Sequence, residues 1–450
     1  MATPTIQVNN STGSDSQASG AGPATALFGT SASYTGSVFT LDGTPDLSGV
    51  ATDGTHVIWV ATASGRQWFD INAKDDGADT VTVTDAPTGT STGLTWGLGG
   101  KRSTIDAASS RLAFSEWKDD WIIEIEYTGT DYTLSASALN IVAPTIYDTV
   151  TIRGTGATRP TITQTAAVTA FDLITRQFTI FFEFLKIENS HASGGIGIDF
   201  SHSMTGVIKD CVIGDATNQL TSGIISSFGV TERLDIIDCE VAHCTSNGVQ
   251  MQRGCRAFGC WIHDNDGRGL YIGAGGNEQL YIFHSIVADN GSDGIYMVTQ
   301  GGQLWVMNCT IDRNTGDGID VTNGSSQATP ILVNNIVSNN GGYGFNSDNA
   351  GRFQAMVDGN LWYNNTSGDV LNLTKGDNDT SGSDPDFTDS ANDDYSLSAT
   401  SPGKAMGSPI STRFIGANTS ATKSYKDTGA AQRQESAGGA TRLINGGLIS

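Results

Sequence analysis

Positive charge is the first thing that this sequence has little of. Its 450 residues include 24 Lys and Arg against 47 Asp and Glu, and the formal net charge is −23. The longest basic cluster is the pair Lys101-Arg102. Because binding to a nucleic acid backbone requires a basic surface, this composition argues against DNA or RNA as a partner.

Long apolar runs are absent as well. A membrane-spanning helix needs about 18 or more consecutive apolar residues, and no such stretch occurs. The N-terminus, Met1-Ala2-Thr3-Pro4, lacks the charged and apolar regions of a secretory signal peptide. The sequence therefore predicts no membrane span and no Sec-type export signal.

Cysteine is scarce and does not suggest a disulfide framework. Four of the six cysteines occupy one position of the repeat described below, which favours buried thiols packed at a turn. A zinc site needs closely spaced pairs, whereas Cys239–Cys244 and Cys255–Cys260 are each five residues apart. A disulfide between Cys239 and Cys260 remains the alternative. The residues point to no metal and no cofactor.

A repeat of about 25 residues fills the middle of the chain. One position of it is occupied by Leu185, Cys211, Cys239, Cys260, Ser285, Cys309, Asn335 and Asn360. Apolar residues stand two positions after and three positions before each of these. Five positions after, the last six coils have Cys244, Asn265, Asn290, Asn314, Asn340 and Asn365. Four positions further on, a repeat glycine occurs as Gly248, Gly269, Gly294, Gly318 and Gly344.

Each part of the repeat has a physical reason. Apolar residues at a spacing of two form the inward face of short strands, and stacked coils bury that face in one continuous core. We expect each ladder Asn to adopt a left-handed backbone conformation and to bond the Asn one coil away through its amide. We expect the repeat glycine to supply the backbone freedom of a tight corner.

Segments such as Ile286–Ile295 and Thr310–Ile319 resemble the pectin-lyase-like β-helix proteins. The resemblance covers about half of the chain and implies an all-β fold, a right-handed parallel β-helix of eight to ten coils. It implies little about activity, because this fold is found in lyases, hydrolases, adhesins and viral spikes. No catalytic motif of pectate lyases or polygalacturonases can be matched residue by residue.

The flanking segments predict additional parts. Short strands at 37–41, 56–62, 67–71 and 80–84 indicate a small β-barrel or sandwich. A short helix from Ile105 to about Glu116 is expected to cap the solenoid. The predicted domains are 1–100 (small β domain), 101–145 (capping helix and first coil), 146–375 (β-helix) and 376–450 (closing coil and C-terminal tail).

The outward side of one predicted sheet is unusually apolar. Strand alternation places outward Phe258, Tyr281, Phe283, Trp305, Met307, Ile331 and Val333. Contiguous apolar surface of this kind usually has a partner. The chain's own loops or tail are one candidate cover, and sugar rings stacking on Tyr281 and Trp305 are another. We favour the third reading, a homotrimer interface formed by these residues.

Two adjacent-coil carboxylate pairs are candidates for chemistry. Asp293 and Asp317 each precede a repeat glycine, and their spacing suits a glycosidase pair or, with Asp320, a Ca²⁺ site. Asp264 and Asp289, near His263, form a second pair. Asp before Gly is also ordinary turn chemistry, so whether either pair is catalytic stays open. The outward residues of the next strand, Tyr271, Tyr296 and Asp320, form a candidate carbohydrate-binding patch.

Together these features resemble a bacteriophage virion protein. The expected function is a trimeric β-helix tailspike or head-decoration protein on the virion surface, contacting host surface polysaccharide. The N-terminal domain would attach it to other virion proteins. One alternative is a polysaccharide lyase or hydrolase, a depolymerase. The other is an exported bacterial surface β-helix protein.

Overall fold

The computed structural model describes residues 5–8, 27–53, 56–62, 65–84, 90–98, 120–136, 149–173, 179–200, 205–226, 233–252, 254–273, 279–299, 302–323, 329–348, 355–404, 429, 443–444 and 447–448. These ranges contain no α-helix and one 3-10 turn, Ser390–Asn392. Within them, no helix is long and apolar enough to cross a membrane. The predicted capping helix, Ile105 to about Glu116, lies outside the described residues.

The chain divides into two compact units, of which the first comprises residues 1–163 and 171–186. It contains a closed antiparallel barrel whose strands, in order around it, are Leu27–Thr35, Val38–Thr40, Thr80–Val83, Gly65–Asp75, Val57–Thr62 and Thr90–Leu98. The predicted N-terminal β domain is therefore confirmed. Its first and last strands along the chain, 27–35 and 90–98, were not predicted, because Gly, Ser and Thr in them obscure the alternation of apolar residues.

Alternating burial explains why the barrel closes. Along Thr80–Val83, Val81 and Val83 point inward and are buried, whereas the two threonines are half-buried. Phe39, Ile58 and Trp96 join them in the core, each fully buried. Burying an apolar side chain of this size contributes about 1.5–3 kcal/mol, so this cluster stabilises the barrel by its own contacts.

The first unit also contains parallel strands of the coil type. Thr5–Val8, Asp120–Glu126, Thr149–Thr155 and Thr179–Glu183 are neighbours in that order, and Thr5 lies opposite Ile122. Tyr132–Leu134 and Thr161–Gln164 are neighbours in a second sheet. Residues 5–8 therefore lie in a parallel sheet and not in the barrel. The residue boundaries of the predicted domains stay a prediction.

The second unit, residues 164–170 and 187–450, is a stack of coils with three parallel sheets. Sheet 1 has Thr205–Lys209, Arg233–Ile237, Cys255–Phe258, Gln279–Phe283, Gln303–Met307, Thr329–Val333 and Met356–Asp358. Sheet 2 has Lys186–Asn189, Val212–Ile213, Glu240–Ala242, Trp261–His263, Ile286–Ala288, Thr310–Asp312, Ile336–Ser338, Leu361–Tyr363 and Thr380–Ser381. Sheet 3 has Ile196–Asp199, Ser222–Ile225, Val249–Met251, Leu270–Ile272, Ile295–Thr299, Ile319–Asn323, Tyr343–Ser347 and Gly368–Val370, while Phe171–Asp172 is a short strand of the first unit.

Successive coils repeat in register, so equivalent residues are stacked. Ile262 lies opposite Val287, which lies opposite Ile311, and all three are fully buried inside the coils. Neighbouring strands in a sheet are about 4.8 Å apart. This register confirms the apolar spacing that predicted the solenoid, and it makes residues about 25 positions apart in sequence direct neighbours in space.

The predicted amide ladder is present. The Nδ2 of Asn265 donates to the Oδ1 of Asn290 at 2.9 Å, and Asn290 donates in the same way to Asn314 at 2.9 Å. Asn314 continues to Asn340 at 3.0 Å and Asn340 to Asn365 at 2.8 Å. Each of these amides is buried, and buried polar groups need such partners.

The left-handed backbone lies one residue before the position we predicted. The ladder asparagines do not have positive φ, whereas the residues immediately before the ladder position do. These residues, with φ of 50–57°, are His243 (before Cys244), Asp264, Asp289, Arg313, Asn339 and Asn364. The corner between sheets 1 and 2 has the same arrangement at Asp210, Asp238, His284, Asn308 and Asn334. The ladder side chain must point inward to meet its neighbour, so the change of direction falls on the preceding residue.

The expectation for the repeat glycines was also wrong in its reason. They do not have positive φ, but a Cβ on them would collide with the next coil. At Gly294 a Cβ would lie 2.7 Å from the Nδ2 of Asn314 and 2.8 Å from the carbonyl oxygen of Gly318. The repeat glycine is therefore required for close approach between coils, and it leaves room for the amide ladder.

The six cysteines are free and buried. At the corner between sheets 1 and 2, four of them donate their Sγ–H to main-chain carbonyls, as Cys309 does to Ile282 at 3.3 Å. The four are Cys211, Cys239, Cys260 and Cys309. Burial raises the pKa of Cys260 to about 12, and that of Cys309 likewise to about 12. Thiols so far from ionisation are poor nucleophiles. The alternative disulfide between Cys239 and Cys260 is not formed.

The closing segment folds back over the outer side of sheet 2. Phe387–Asp389 and Asp394–Leu397 pair antiparallel, Tyr395 packs on Ile286 and Ala288, and Leu397 packs on Ile336 and Leu361. Arg313 donates to Asp289 at 2.8 Å and to the Tyr395 hydroxyl at 2.9 Å. We name this contact the Arg313 clamp, because it fastens the segment to the coils.

The glycine pair Gly294 and Gly273 offers a direct test of the close approach. We expect Gly294→Ala to destabilise the protein by about 1–3 kcal/mol, as overpacking does in well-packed interiors. Gly273→Ala is the matched control, because a Cβ there would have its nearest neighbour at 3.5 Å. Thermal unfolding followed by circular dichroism measures both. Equal melting temperatures for the two variants would contradict the packing role of the repeat glycine.

Candidate functional site

Two rows of polar and aromatic residues lie side by side at sheet 3. The first row faces outward on the strands, where Tyr271, Tyr296, Asp320 and Asn346 are opposite one another on four successive coils. The second row is formed by the residues that precede the repeat glycines, which include Arg268, Asp293 and Asp317. We name these two rows together the sheet 3 face.

The fold brings the three predicted aspartates together. Carboxylate oxygens of Asp293, Asp317 and Asp320 lie within 4.8 Å of one another. Asp293 and Asp317 are neighbours because their coils are adjacent. Asp320 joins them because it is the second residue of the strand after Gly318 and faces outward. The predicted pair and the predicted carbohydrate patch are therefore parts of one site.

Arg268 links the carboxylates to the tyrosines. Its Nε lies 3.0 Å from the Oδ2 of Asp293, and its guanidinium carbon is 3.9 Å from the ring centroid of Tyr296. The rings of Tyr271 and Tyr296 stack with their centroids 5.6 Å apart and an interplanar angle of 24°. Because Tyr296 has Arg268 over one face, a ligand would meet mainly polar groups here: the guanidinium, the phenol hydroxyls and the carboxylates.

Internal hydrogen bonds hold two of the carboxylates in place. Asp317 accepts from the main-chain N–H of Tyr343 at 2.5 Å and from the Nδ2 of Asn346 at 2.7 Å. Asp293 accepts from the main-chain N–H of Asp317 at 3.0 Å in addition to its ion pair with Arg268. A Ca²⁺ ion needs six to eight oxygen ligands, and these oxygens already serve other donors beside a guanidinium. The set suits Ca²⁺ poorly.

The pKa of Asp320 is strongly raised. Burial, followed by the negative charges of Asp293 and Asp317, raises the pKa of Asp320 to about 7. Burial also raises the pKa of Asp317, against the lowering effect of its hydrogen bonds. A carboxyl group that is half protonated near neutral pH can donate a proton or a hydrogen bond, whereas an ordinary aspartate at that pH only accepts.

The two aspartates of the second predicted pair, Asp264 and Asp289, bond different side chains. Asp289 belongs to the Arg313 clamp, where it accepts hydrogen bonds from Arg313 and Tyr395. Asp264 instead bonds His263, whose Nδ1 is 2.7 Å from its Oδ2. The structure therefore uses Asp289 to fasten the closing segment, and it leaves Asp264 with the histidine.

The apolar stripe on sheet 1 has two columns that differ in burial. In the inner column Phe283, Met307 and Val333 are 7%, 2% and 0% exposed within the single chain. In the outer column Tyr281, Trp305 and Ile331 are half-buried, as is Phe258 at the edge. A partner is thus unnecessary for burying the inner column. The homotrimer interface stays a prediction for the half-buried residues.

Sequence reasoning missed Arg268 and Asn346 as members of the site. The repeat contained the signal for both: Arg268 precedes Gly269 as Asp293 precedes Gly294, and Asn346 occupies the row of Asp320. Register alone would have placed them beside the aspartates. What it did not reveal is the direction of the Arg268 side chain, which depends on the charge of Asp293 and the ring of Tyr296.

Comparison with known proteins bears on the fold. The family described as right handed beta helix region matches residues 222–384. Among solved structures, a pectate lyase, Pel9A, matches with a TM-score of 0.50 and 16% identity, covering 72% of this chain and 90% of its own. The chain therefore contains a right-handed parallel β-helix, the fold that its sequence predicted.

Two other solved structures are among the weaker matches. The A-module of the Azotobacter vinelandii mannuronan C-5 epimerase AlgE6 has a TM-score of 0.28 and 13% identity, covering 62% of this chain and 93% of its own. The Gp54 tailspike of Acinetobacter baumannii bacteriophage AP22, solved with capsular saccharide, has a TM-score of 0.18 and 10% identity, covering 79% and 64%. No curated protein matches the sequence significantly.

The acidity of Asp320 predicts an unusual dependence of stability on pH. Its folded pKa of about 7 lies above its ordinary value of 3.8, so between these values the folded state holds a proton that the unfolded state has lost. Stability therefore falls as pH rises from about 4 to about 7. Asp320→Asn removes this dependence, and we expect its melting temperature to fall less than the wild type's between pH 5 and pH 8.

The matched control is Asp266→Asn, which changes an exposed aspartate of a neighbouring turn. It should keep the wild-type difference between the two pH values. If Asp320→Asn also keeps the full difference, the carboxyl group of Asp320 does not titrate near neutral pH.

Proposed function

We propose that this chain is a carbohydrate-binding β-helix protein that holds a polysaccharide on the sheet 3 face. One observation carries the proposal: a row of aromatic, cationic and carboxylate side chains runs across successive coils of the sheet 3 face. Arg268, Tyr296 and Asp320 are its centre, and all three are half-buried. They are exposed enough to touch a ligand and packed enough to be held still.

The chemistry of this face suits sugar hydroxyl groups. A hydroxyl both donates and accepts hydrogen bonds, and the face offers donors on Arg268 and Asn346 next to acceptors on Asp317 and Asp320. The coil repeat spreads these groups along the solenoid axis. An extended chain of sugars can therefore make equivalent contacts on neighbouring coils, which favours a polymer over a free monosaccharide.

Charge narrows the class of polysaccharide. Three carboxylates and one guanidinium meet on the face, and the whole chain has a formal net charge of −23. A strongly anionic glycan would be repelled. We therefore propose a neutral bacterial surface polysaccharide as the ligand.

The finer proposal concerns where the protein acts. We propose that it is a bacteriophage virion surface protein, a tailspike or head-decoration protein, that meets its host through this face. In this proposal the N-terminal barrel attaches to other virion proteins, and the half-buried column Tyr281, Trp305 and Ile331 joins three copies. The trimer in this proposal is supported by the half-buried apolar column described above, which a monomer leaves accessible to water.

Glycan binding predicts a clear effect of mutation. On an array of bacterial surface polysaccharides, the wild type should bind neutral glycans. Arg268→Ala and Tyr296→Ala should each weaken binding to the best ligand at least tenfold in isothermal titration calorimetry, because each removes donors or ring contacts. Tyr127→Ala is the control: Tyr127 is 46% exposed in the other unit and should not matter. Unchanged affinity in both site variants would contradict the proposal.

Hydrolysis of the bound polysaccharide is a second candidate function, favoured by the pKa of Asp320 near 7. A protonated Asp320 could serve as the general acid beside a second carboxylate of the cluster. The array ligand is incubated with the protein, and reducing ends are measured. Release that Asp320→Asn abolishes while binding persists would establish a depolymerase, and no release would leave the chain a binding protein.

The proposed homotrimer can be tested by the mass of the protein in solution. Analytical ultracentrifugation of the full chain should give three times the monomer mass, and Trp305→Glu should reduce it to one because a charge would be buried at the interface. The control is an equivalent exposed substitution, Gln279→Glu. A wild type that sediments as a monomer with intact β-structure would contradict the homotrimer.

A further inference from the structure

A second polar cluster lies on sheet 2, away from the candidate glycan face, and the proposed function does not use it. Ligand atoms of His243, His263 and Asp264 lie within 4.8 Å of one another. His243 and Asp264 occupy the same row on adjacent coils, one residue beyond the pair Ala242 and His263. The coil register therefore brings together two imidazoles and a carboxylate that are about 20 residues apart in sequence.

Two aromatic rings hold the ring of His263 in place. Trp261 stacks on it with centroids 3.6 Å apart and an interplanar angle of 17°, and His243 meets it edge-on at 5.7 Å. Its side chain is 5% exposed. An imidazole held this firmly loses little conformational freedom on binding a ligand, which favours affinity.

The two nitrogens of His263 face different carboxylates. Its Nδ1 lies 2.7 Å from the Oδ2 of Asp264. Its Nε2 is buried and makes no hydrogen bond to the described residues, and the Oε1 of Glu240 is 3.5 Å away. Metal-binding histidines commonly donate their second N–H to a carboxylate, which fixes the tautomer. Glu240 is placed for that part.

The donor set identifies the class of cation. Two imidazole nitrogens and one carboxylate oxygen suit Zn²⁺ and similar divalent transition metals, whereas Ca²⁺ and Mg²⁺ prefer oxygen alone. Tetrahedral bonds of about 2.0–2.1 Å put ligand atoms about 3.3 Å apart. Atoms now within 4.8 Å need only small side-chain rotations to reach that spacing.

Arg313 lies close enough to act electrostatically on Asp264, but its hydrogen bonds go to other carboxylates. Arg313, the nearest cation named by its contacts, is engaged with Asp289 and Asp312 in the clamp. Asp264 and Glu240 therefore supply negative charge on either side of His263. Asp264 is exposed, so a metal ion can reach the cluster from solvent, and three protein ligands leave a fourth position for water.

We propose that His243, His263 through its Nδ1, and Asp264 form a site for Zn²⁺ or a similar divalent transition metal, with Glu240 holding the second nitrogen of His263. The ion takes the place of the proton between His263 and Asp264. It joins two successive coils of sheet 2 next to the Arg313 clamp, and its predicted effect is to stabilise that part of the solenoid.

Titration of the full chain with Zn²⁺ alone tests the proposal. After treatment with a chelator and its removal, calorimetry should show one Zn²⁺ per chain with a micromolar or lower dissociation constant. Co²⁺ in its place should give the visible absorption of a tetrahedral nitrogen and oxygen site. His243→Ala and Asp264→Asn should each weaken Zn²⁺ binding at least hundredfold, because each removes one of three ligands.

A matched histidine controls for nonspecific binding. His191 is exposed and lies outside the cluster, so His191→Ala should bind Zn²⁺ like the wild type. Zn²⁺ should also raise the melting temperature of the wild type and of His191→Ala but not of the ligand variants. The proposal is overturned if the wild type binds no Zn²⁺ in the micromolar range, or if His243→Ala and Asp264→Asn bind it unchanged.

Discussion

The close approach of successive coils at their corners is the constraint on which this structure depends. A ladder asparagine can bond the next one only if the two coils are a single strand spacing apart, and the repeat glycine permits that spacing because it has no Cβ. Asn314 and Gly294 illustrate the two sides of the contact, since a methyl group on the glycine would meet the asparagine amide at 2.7 Å. The amide ladder therefore depends on the repeat glycine.

The same register creates the surfaces on which function is proposed. Arg268, Asp293 and Asp317 are spaced by a coil length in the sequence, and the fold makes them neighbours. His243 and Asp264 meet for the same reason on another sheet. A charge placed once per coil becomes a line of charges. The raised pKa of Asp320 reflects its burial first and then the carboxylates that the stacking brings beside it.

Much of the fold could be predicted from the sequence, because residues one coil length apart in a solenoid become neighbours in space. The coil length, the inward apolar positions, the amide ladder and the meeting of Asp293 with Asp317 all follow from counting. The backbone conformation at the corners could not be predicted in this way. It depends on which residue must change the chain direction so that the next side chain points inward. Positions such as Arg313 and His243 have no glycine or asparagine that would indicate it. Side-chain direction was equally hidden: nothing in the sequence tells that Arg268 lies over Tyr296, or that Asp289 is taken by a tyrosine 106 residues later.

The closing segment has a consequence for the solubility of shortened forms of the protein. Tyr395 and Leu397 cover apolar residues on the outer side of sheet 2 that would otherwise meet water. In a chain that ended before residue 384, Ile286, Ile336 and Leu361 would lose the cover that Tyr395 and Leu397 give them. Exposed apolar surface drives self-association, so the segment that follows the last coil protects the coils before it from aggregation.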